Sequence, residues 1–237
     1  NHSKGILIFT HKEREWIESR HPQFKTIIRA VSNHYVIGMH WGGYHARPIT
    51  PPKFIQFHLI APGLATLKTK VRQIDLTARN FTPECFKKID SPIRWDILNI
   101  SRLSKIKKLD DFLKVIRLIF DSGKKTNICL VSPIVKGLTG QNSYSTFFED
   151  FNRLFTKEEQ KLFTLFTIES ENNAFPLPQE VIAHFHQSSR IFTLFSQEEG
   201  DSRAIAEALV SGLPVVIRDN LRGAGTAYKP YLNNQNS

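Results

Sequence analysis

Apolar residues in the second part of the chain alternate between short runs and helical stripes. Residues 95–100 form one of the short runs, which is typical of a strand. Residues 108–120 instead place apolar side chains three and four positions apart, which predicts a helix that packs through one face. The same patterns predict strands over 127–132, 162–168, 191–195 and 214–217, and helices over 144–155, 179–187 and 203–211.

This alternation predicts an α/β fold in which a parallel sheet carries helices on both faces and binds ligands at the carboxyl ends of its strands. Residues 80–92 have the turn chemistry of a linker, so we predict a first domain over 1–92 and a second over 93–237. The first domain contains predicted strands over 4–10, 34–40, 54–60 and 71–75, and a charged helix over 12–20 that ends before Pro22.

Positive charge is concentrated in the first domain. The net charge of the chain is +10, of which residues 1–92 carry +8 and residues 93–237 carry +2. This asymmetry indicates a first domain that faces something anionic: a lipid surface, a phosphorylated acceptor or nucleic acid. A basic surface that is simply solvated explains the charge equally well.

The two cysteines are too few for a disulfide framework and do not have the CxxC spacing of a metal site. No apolar run reaches the length that a membrane span requires. We therefore expect a cytoplasmic location, with peripheral attachment to the cytoplasmic side of a membrane as an open option. The chain enters a strand almost at once, the first domain is short, and few residues follow 214–217. From these features we expect an incomplete piece of a longer protein.

The segment 195–216 carries the strongest candidate chemistry. It places Glu199 and Glu207 eight positions apart, with a turn and a helix start between them. Free amides at a helix N-terminus bind phosphate, and carboxylates accept hydrogen bonds from vicinal hydroxyls. The pattern predicts a phosphorylated, hydroxyl-rich ligand. The alternative is that Glu207 caps the helix or pairs with an arginine on a helix surface.

A second segment, 100–108, contains Arg102 at the end of a strand and Lys107 at the start of a helix. Both cations project over the carboxyl edge of the predicted sheet, where they can neutralise a diphosphate. The alternative is that these cations lie at the start of a solvent-exposed helix and bind no ligand.

These two segments together resemble the donor-binding domain of GT-B glycosyltransferases of the retaining, family-4 type. The resemblance covers residues 93–220 and implies a GT-B-like pair of Rossmann-like domains, both incomplete here. It also implies that Arg102 and Lys107 bind the donor diphosphate, that Glu199 holds the transferred sugar and that Glu207 holds the ribose. The resemblance also implies that backbone amides near residues 201–203 bind the donor phosphate, and that Gly200, Asp201, Ser202 and Arg203 belong to the donor-binding segment.

The sequence departs from the family pattern at several glycines. Ser101 and Lys108 stand where the family has glycine on either side of the cationic segment. Residues 131–133 and 168–170 replace two further glycine positions, the second of them near the expected base. These departures leave the base of the donor open.

A retaining reaction develops charge on the departing diphosphate, which the cations and the helix dipole stabilise without a metal or a cofactor. The acidic pair Asp110–Asp111 lies inside a predicted helix and does not resemble a metal-binding loop. His40 is the best candidate for a catalytic histidine from the first domain, ahead of His58 and His45.

We therefore predict a metal-independent hexosyltransferase that moves a hexose from a nucleotide-diphosphate sugar to a glycan or lipid-linked acceptor with retention. The partners are the donor and the acceptor, an anionic membrane is an optional contact, and nucleic acid is not expected. Two alternatives remain: a nucleic-acid-binding basic protein, and a glycosyltransferase homologue without catalysis. A dinucleotide enzyme is disfavoured because the only similar glycine run, 223–225, follows the last strand.

Overall fold

The structure, a computed structural model, divides the chain into two units. The first comprises 1–80 with 199–201 and 223–227, and the second comprises 81–198 with 202–222 and 228–237. The division after residue 80 precedes the boundary near 92 that the sequence indicated. The residues that the structure describes are 3–10, 13, 22–41, 53–60, 70–76, 78–135, 141–167, 169–170, 177–200, 202–223, 228–229 and 232.

The first unit contains a four-stranded parallel sheet in the order β1-β2-β3-β4. A helix that was not predicted, α1 (Pro22–Ser32), buries Phe24 and Ile28 against this sheet. Proline is well suited to the first position of a helix because its missing N–H needs no partner there. The predicted helix over 12–20 lies outside the described residues except for Glu13. The strands are β1 (Gly5–Phe9), β2 (Tyr35–Trp41), β3 (Phe57–Ile60) and β4 (Arg72–Asp75).

The second unit contains a five-stranded parallel sheet in the order β12-β10-β5-β6-β8. The chain runs outward from β5 to β8 and then crosses back to place β10 on the other side of β5. The strand order therefore reverses between β5 and β10. The strands of this sheet are β5 (Trp95–Ile100), β6 (Ile128–Val131), β8 (Phe163–Phe166), β10 (Ser189–Leu194) and β12 (Val215–Ile217).

Smaller elements complete the described chain. Two pairs of short strands lie outside the main sheets, and β7 pairs with β9 and β11 with β13. The short strands are β7 (Ile134–Val135), β9 (Glu169–Ser170), β11 (Glu198–Glu199) and β13 (Arg222–Gly223). The helices of the second unit are α2 (Leu109–Asp121), α3 (Gln141–Leu154), α4 (Lys157–Gln160), α5 (Gln179–Gln187) and α6 (Arg203–Val210).

Helices cover both faces of the five-stranded sheet. Ile97 of β5 belongs to the core cluster that α2 and α3 supply. Its neighbour Leu98 is registered with Phe192 of β10, whose ring contacts His186 of α5 at a centroid distance of 5.3 Å. Successive residues of a strand point to opposite faces, so α2 and α3 pack on one face and α5 on the other. The predicted architecture of this unit is confirmed.

Candidate functional site

The reversal of strand order in the second unit brings the two candidate segments together. β5 leads into Arg102 and Lys107, and β10, its neighbour in the sheet, leads into the segment that contains Glu199. The Gln197 backbone N–H donates a hydrogen bond of 2.9 Å to the Ile106 carbonyl. This bond fastens the loop after β10 to the cationic segment. In open α/β sheets ligands bind at such a point of reversal.

The two predicted cations differ in their surroundings. Arg102 lies two residues beyond the end of β5 and is exposed. Lys107 is half-buried and is the last residue of a short 3-10 helix over 105–107. The Lys107 backbone N–H donates a hydrogen bond of 2.9 Å to the Ser104 carbonyl, which fixes the backbone of this turn.

Lys108, the next residue, adopts a left-handed backbone conformation, with φ 51° and ψ 45°. It is the only residue other than glycine with a positive φ in the described part of the chain. The side chain of an L-residue crowds the backbone in this conformation, which glycine adopts without cost. The turn at Lys108 therefore carries a backbone strain that a glycine would avoid.

The helix α6 begins at the expected point, and its N-cap side chain does not bond to its first amides. Ser202 occupies the N-cap position, is buried, and makes no capping hydrogen bond with its side chain. Arg203, the first helical residue, is exposed, and Gly200 is buried. Asp201 lies outside the described residues. An N-terminus without a side-chain cap retains the donors and the positive dipole end that favour an anion.

Glu207 is buried in α6, with 8% of its surface exposed. Its Oε2 lies 3.8 Å from Nε2 of His186, a side chain with no exposed surface. Burial lowers the pKa of His186, and the nearby Glu207 carboxylate opposes that change. Glu207 forms no ion pair with an arginine among the described residues, and its burial differs from the exposed helix surface that the alternative assumed.

Glu199 and His40 belong to the first unit. Glu199 is 5% exposed and lies in β11, which pairs with β13. Its neighbour Glu198 forms an ion pair of 3.7 Å with Arg222. His40 is half-buried near the end of β2, one position before the strand ends at Trp41. The roles given to Glu199 and His40 remain predictions.

Asp110 and Asp111 lie in the first turn of α2, as predicted. Asp111 also forms an ion pair with Arg218, and this hydrogen bond holds the pKa of its carboxyl below the usual range. The residues that the structure describes contain no group of three histidine, cysteine or acidic side chains placed to hold a metal. Within those same residues, no helix is both long and apolar enough to traverse a bilayer.

A cavity of about 360 Å³ opens beside the cationic segment, between the start of α2 and the middle of α3. Its volume lies in the range of small-molecule pockets. Leu103 and Phe147 contribute apolar walls, and Lys105 and Asp150 contribute charge. Arg102, Lys107 and Glu207 are not among the described residues that line it, although Lys105 and Lys108 of the same cationic segment are.

The sequence did not identify His186 as part of the site. Because His184 and His186 lie two positions apart on a helix, they do not share a ligand face, and the sequence indicated no zinc site there. The burial of His186 follows a signal that was present: it lies four positions after Ile182, on the apolar stripe of α5, whereas His184 is exposed. Its proximity to Glu207 depends on how α5 packs against α6, which the sequence does not encode locally.

No protein-family model and no curated protein matches the sequence. Several solved structures do share the fold. One is described as "Trehalose-6-phosphate from E. coli bound with UDP-2-fluoro glucose", and its TM-score is 0.56 at 12% identity over 94% of this chain and 60% of that one.

An α,α-trehalose-phosphate synthase (UDP-forming) from Burkholderia xenovorans, in complex with glucose-6-phosphate, has a TM-score of 0.55 at 11% identity over 86% of this chain and 61% of that one. TarM has a TM-score of 0.55 at 13% identity over 90% of this chain and 41% of that one. The chain thus spans about two fifths to three fifths of the length of these structures. The predicted GT-B-like fold is confirmed, and identities this low carry the fold alone.

Proposed function

We propose that this chain is part of a glycosyltransferase that takes a hexose from a nucleotide-diphosphate sugar and transfers it with retention. One observation carries the proposal: the Gln197 backbone N–H donates a hydrogen bond to the Ile106 carbonyl at the reversal of strand order. This bond joins the cationic segment to the loop that precedes Glu199 and Glu207. Such a juncture is where a doubly wound sheet binds nucleotides. The similar E. coli structure, bound with UDP-2-fluoro glucose, suggests UDP-glucose as the first donor to test.

In the proposed reaction the bond between the anomeric carbon and the diphosphate breaks, and negative charge grows on the departing diphosphate. The oxygen of an acceptor hydroxyl bonds to the same face of that carbon, and the hydroxyl proton passes to the departing diphosphate. Arg102 binds this charge through its planar fork, Lys107 adds a point charge, and the free amides at the start of α6 add the helix dipole. Electrostatic stabilisation of developing charge commonly lowers the barrier of such a step more than any other single effect. No metal is required by this arrangement.

The two glutamates orient the donor in the proposal. Glu207 accepts hydrogen bonds from the ribose hydroxyls, and Glu199 accepts them from the hexose. His40 is the first-unit candidate for a group near the anomeric carbon. The acceptor is a glycan, a lipid-linked sugar or a sugar phosphate. An acceptor that carries phosphate would be attracted by the +8 net charge of residues 1–92.

Calorimetric titration with UDP-, GDP- and ADP-sugars tests donor binding. We expect Arg102→Ala to raise the Kd for the preferred donor about tenfold or more, which is the usual cost of losing a hydrogen bond to a charged group. Arg94→Ala is the matched control, because Arg94 is also exposed but precedes the amino end of the same strand. Equal Kd values for the two variants, or no binding by the wild type, would overturn the proposal.

Two further measurements separate the alternatives. Donor hydrolysis distinguishes an enzyme from a homologue that only binds the donor. NMR of the anomeric proton of the newly released sugar then reports whether its configuration is retained. A steep dependence of DNA or RNA binding on salt, unaffected by Glu207→Ala, would favour the nucleic-acid-binding alternative instead.

A further inference from the structure

His186 occupies an unusual position for a titratable side chain. It has no exposed surface, and neither ring nitrogen has a hydrogen-bond partner among the described residues. Buried polar groups are nearly always paired, so an unpaired imidazole next to a predicted binding residue calls for an explanation. Its ring is held between Phe86, at a centroid distance of 5.8 Å, and Phe192, at 5.3 Å.

The nearest charged group to this ring is the carboxylate of Glu207. The distance of 3.8 Å from Nε2 to Oε2 is longer than a hydrogen bond, so the two atoms must approach by a few tenths of an ångström, at least about 0.5 Å, to form one. Arg203, one helical turn earlier on the same face of α6, makes no ion pair with Glu207 in the described structure. Glu207 therefore has no other charged partner among the described residues.

From this geometry we propose that His186 is a positioning residue, whose Nε2–H holds one oxygen of Glu207 so that the other oxygen meets the ribose of the donor. The inference rests on the proposed function, since it assigns a partner to the ribose-binding carboxylate. The two rings fix the imidazole plane, and burial keeps the imidazole neutral with a single N–H to donate. His186 itself touches no substrate.

A double-mutant cycle on the Kd for UDP, GDP and ADP tests the role. His186→Phe keeps a ring between Phe86 and Phe192 but removes the N–H, and we expect the Kd of the preferred nucleotide to rise about tenfold. In the Glu207→Ala background the same change is expected to have no further effect. His186→Gln retains a donor near the position of Nε2 and should recover most of the affinity.

His184→Phe is the matched control, because His184 is exposed two positions earlier on α5, and it should leave the Kd unchanged. A purely structural role for His186 predicts that His186→Phe has equal effects on Kd with and without Glu207. That outcome, or a failure of His186→Gln to recover binding, would overturn the inference.

A ligand-free measurement separates this inference from the proposed function. The ¹⁵N chemical shifts of the His186 ring should report an Nε2–H tautomer that changes in Glu207→Gln. Unchanged shifts would overturn the contact itself, whatever the protein binds. If the shifts change but the wild type binds none of the three nucleotides, the contact stands and the proposed function, together with the ribose role of the pair, is overturned.

Discussion

The two units each contain a parallel sheet, but they order their strands differently. In the first unit the described strands follow the chain from β1 to β4. In the second unit the order reverses between β5 and β10. In open α/β sheets ligands bind in the crevice at such a reversal, so the comparison favours the second unit for the part of the candidate donor site that contains Arg102, Lys107 and Glu207.

The cores of the two units also differ. The described core cluster of the second unit is built from many aromatic rings, such as Phe151 and Phe163 in T-shaped contact at 4.9 Å. That of the first unit is smaller, and its strand β1 leaves Ile6 and Ile8 largely exposed. A site that must hold several side chains in a fixed geometry benefits from the larger and more rigid core.

The largest expected effect tests the core of the second unit. Phe112 is fully buried and makes a T-shaped contact with Phe195 at 5.7 Å. Phe112→Ala removes this ring and leaves a cavity, so we expect the free energy of unfolding to fall by about 3–5 kcal/mol. Urea unfolding together with hydrogen exchange of the β5 and β6 amides would measure the loss.

Leu118→Ala is the control for this change, because Leu118 is 67% exposed on the same helix and should alter stability by no more than about 0.5 kcal/mol. Similar losses in the two variants would mean that the cluster around Phe112 does not stabilise the second unit.

A smaller effect tests the packing of the first unit. A Cβ added at Gly38 of β2 would lie 2.1 Å from the ring of Phe57. Gly38→Ala should therefore destabilise this sheet by about 1–3 kcal/mol, measured by hydrogen exchange of the β2 and β3 amides. The same substitution in a Phe57→Ala background should cost much less. An equal cost in both backgrounds would contradict the close approach of ring and backbone.

A substitution at Lys108, beside the candidate site, should raise the free energy of unfolding instead of lowering it. Lys108→Gly removes the strain of the left-handed conformation, and we expect the free energy of unfolding to rise by about 1 kcal/mol. Lys114→Gly, in the middle of the same helix, should lower it by about 1 kcal/mol. Thermal unfolding of the two variants distinguishes them, and destabilisation by both would disprove the left-handed turn.

The smallest expected effect is on thermal stability, and it appears only at low pH. Hydrogen bonds from Arg117 hold the pKa of Glu159 at about 2, below its ordinary value of 4.5. Because the folded pKa is the lower one, this stabilisation is complete above pH 4.5 and is lost as the pH falls toward 2. Glu159→Gln should flatten the dependence of Tm on pH in that window. Glu149→Gln, at an exposed position of α3, should keep the wild-type dependence.

The elements of the second unit were predictable because local patterns and end signals agree there. Residues 179–187 were predicted as a helix and form α5 with the same bounds. Gly212, with φ 74°, ends α6 where the sequence expected. In the first unit α1 was not predicted, although Phe24 and Ile28 lie four apart on its buried face. Pro22 was interpreted as the end of the predicted helix over 12–20, whereas it occupies the first position of α1.

The sequence by itself determined the five strands of the main sheet and the longer helices of the second unit, and which charged side chains follow the strands; α4 and the short strands outside that sheet were not predicted. Those features depend on periods of two and three to four residues, and local propensity is sufficient to set them. The tertiary structure alone decided that β10 lies beside β5, that Gln197 is bonded to Ile106 and that His186 lies against Glu207. These contacts join residues about 20 to 90 positions apart, and they exist only because separate elements bury their apolar faces against the same sheet.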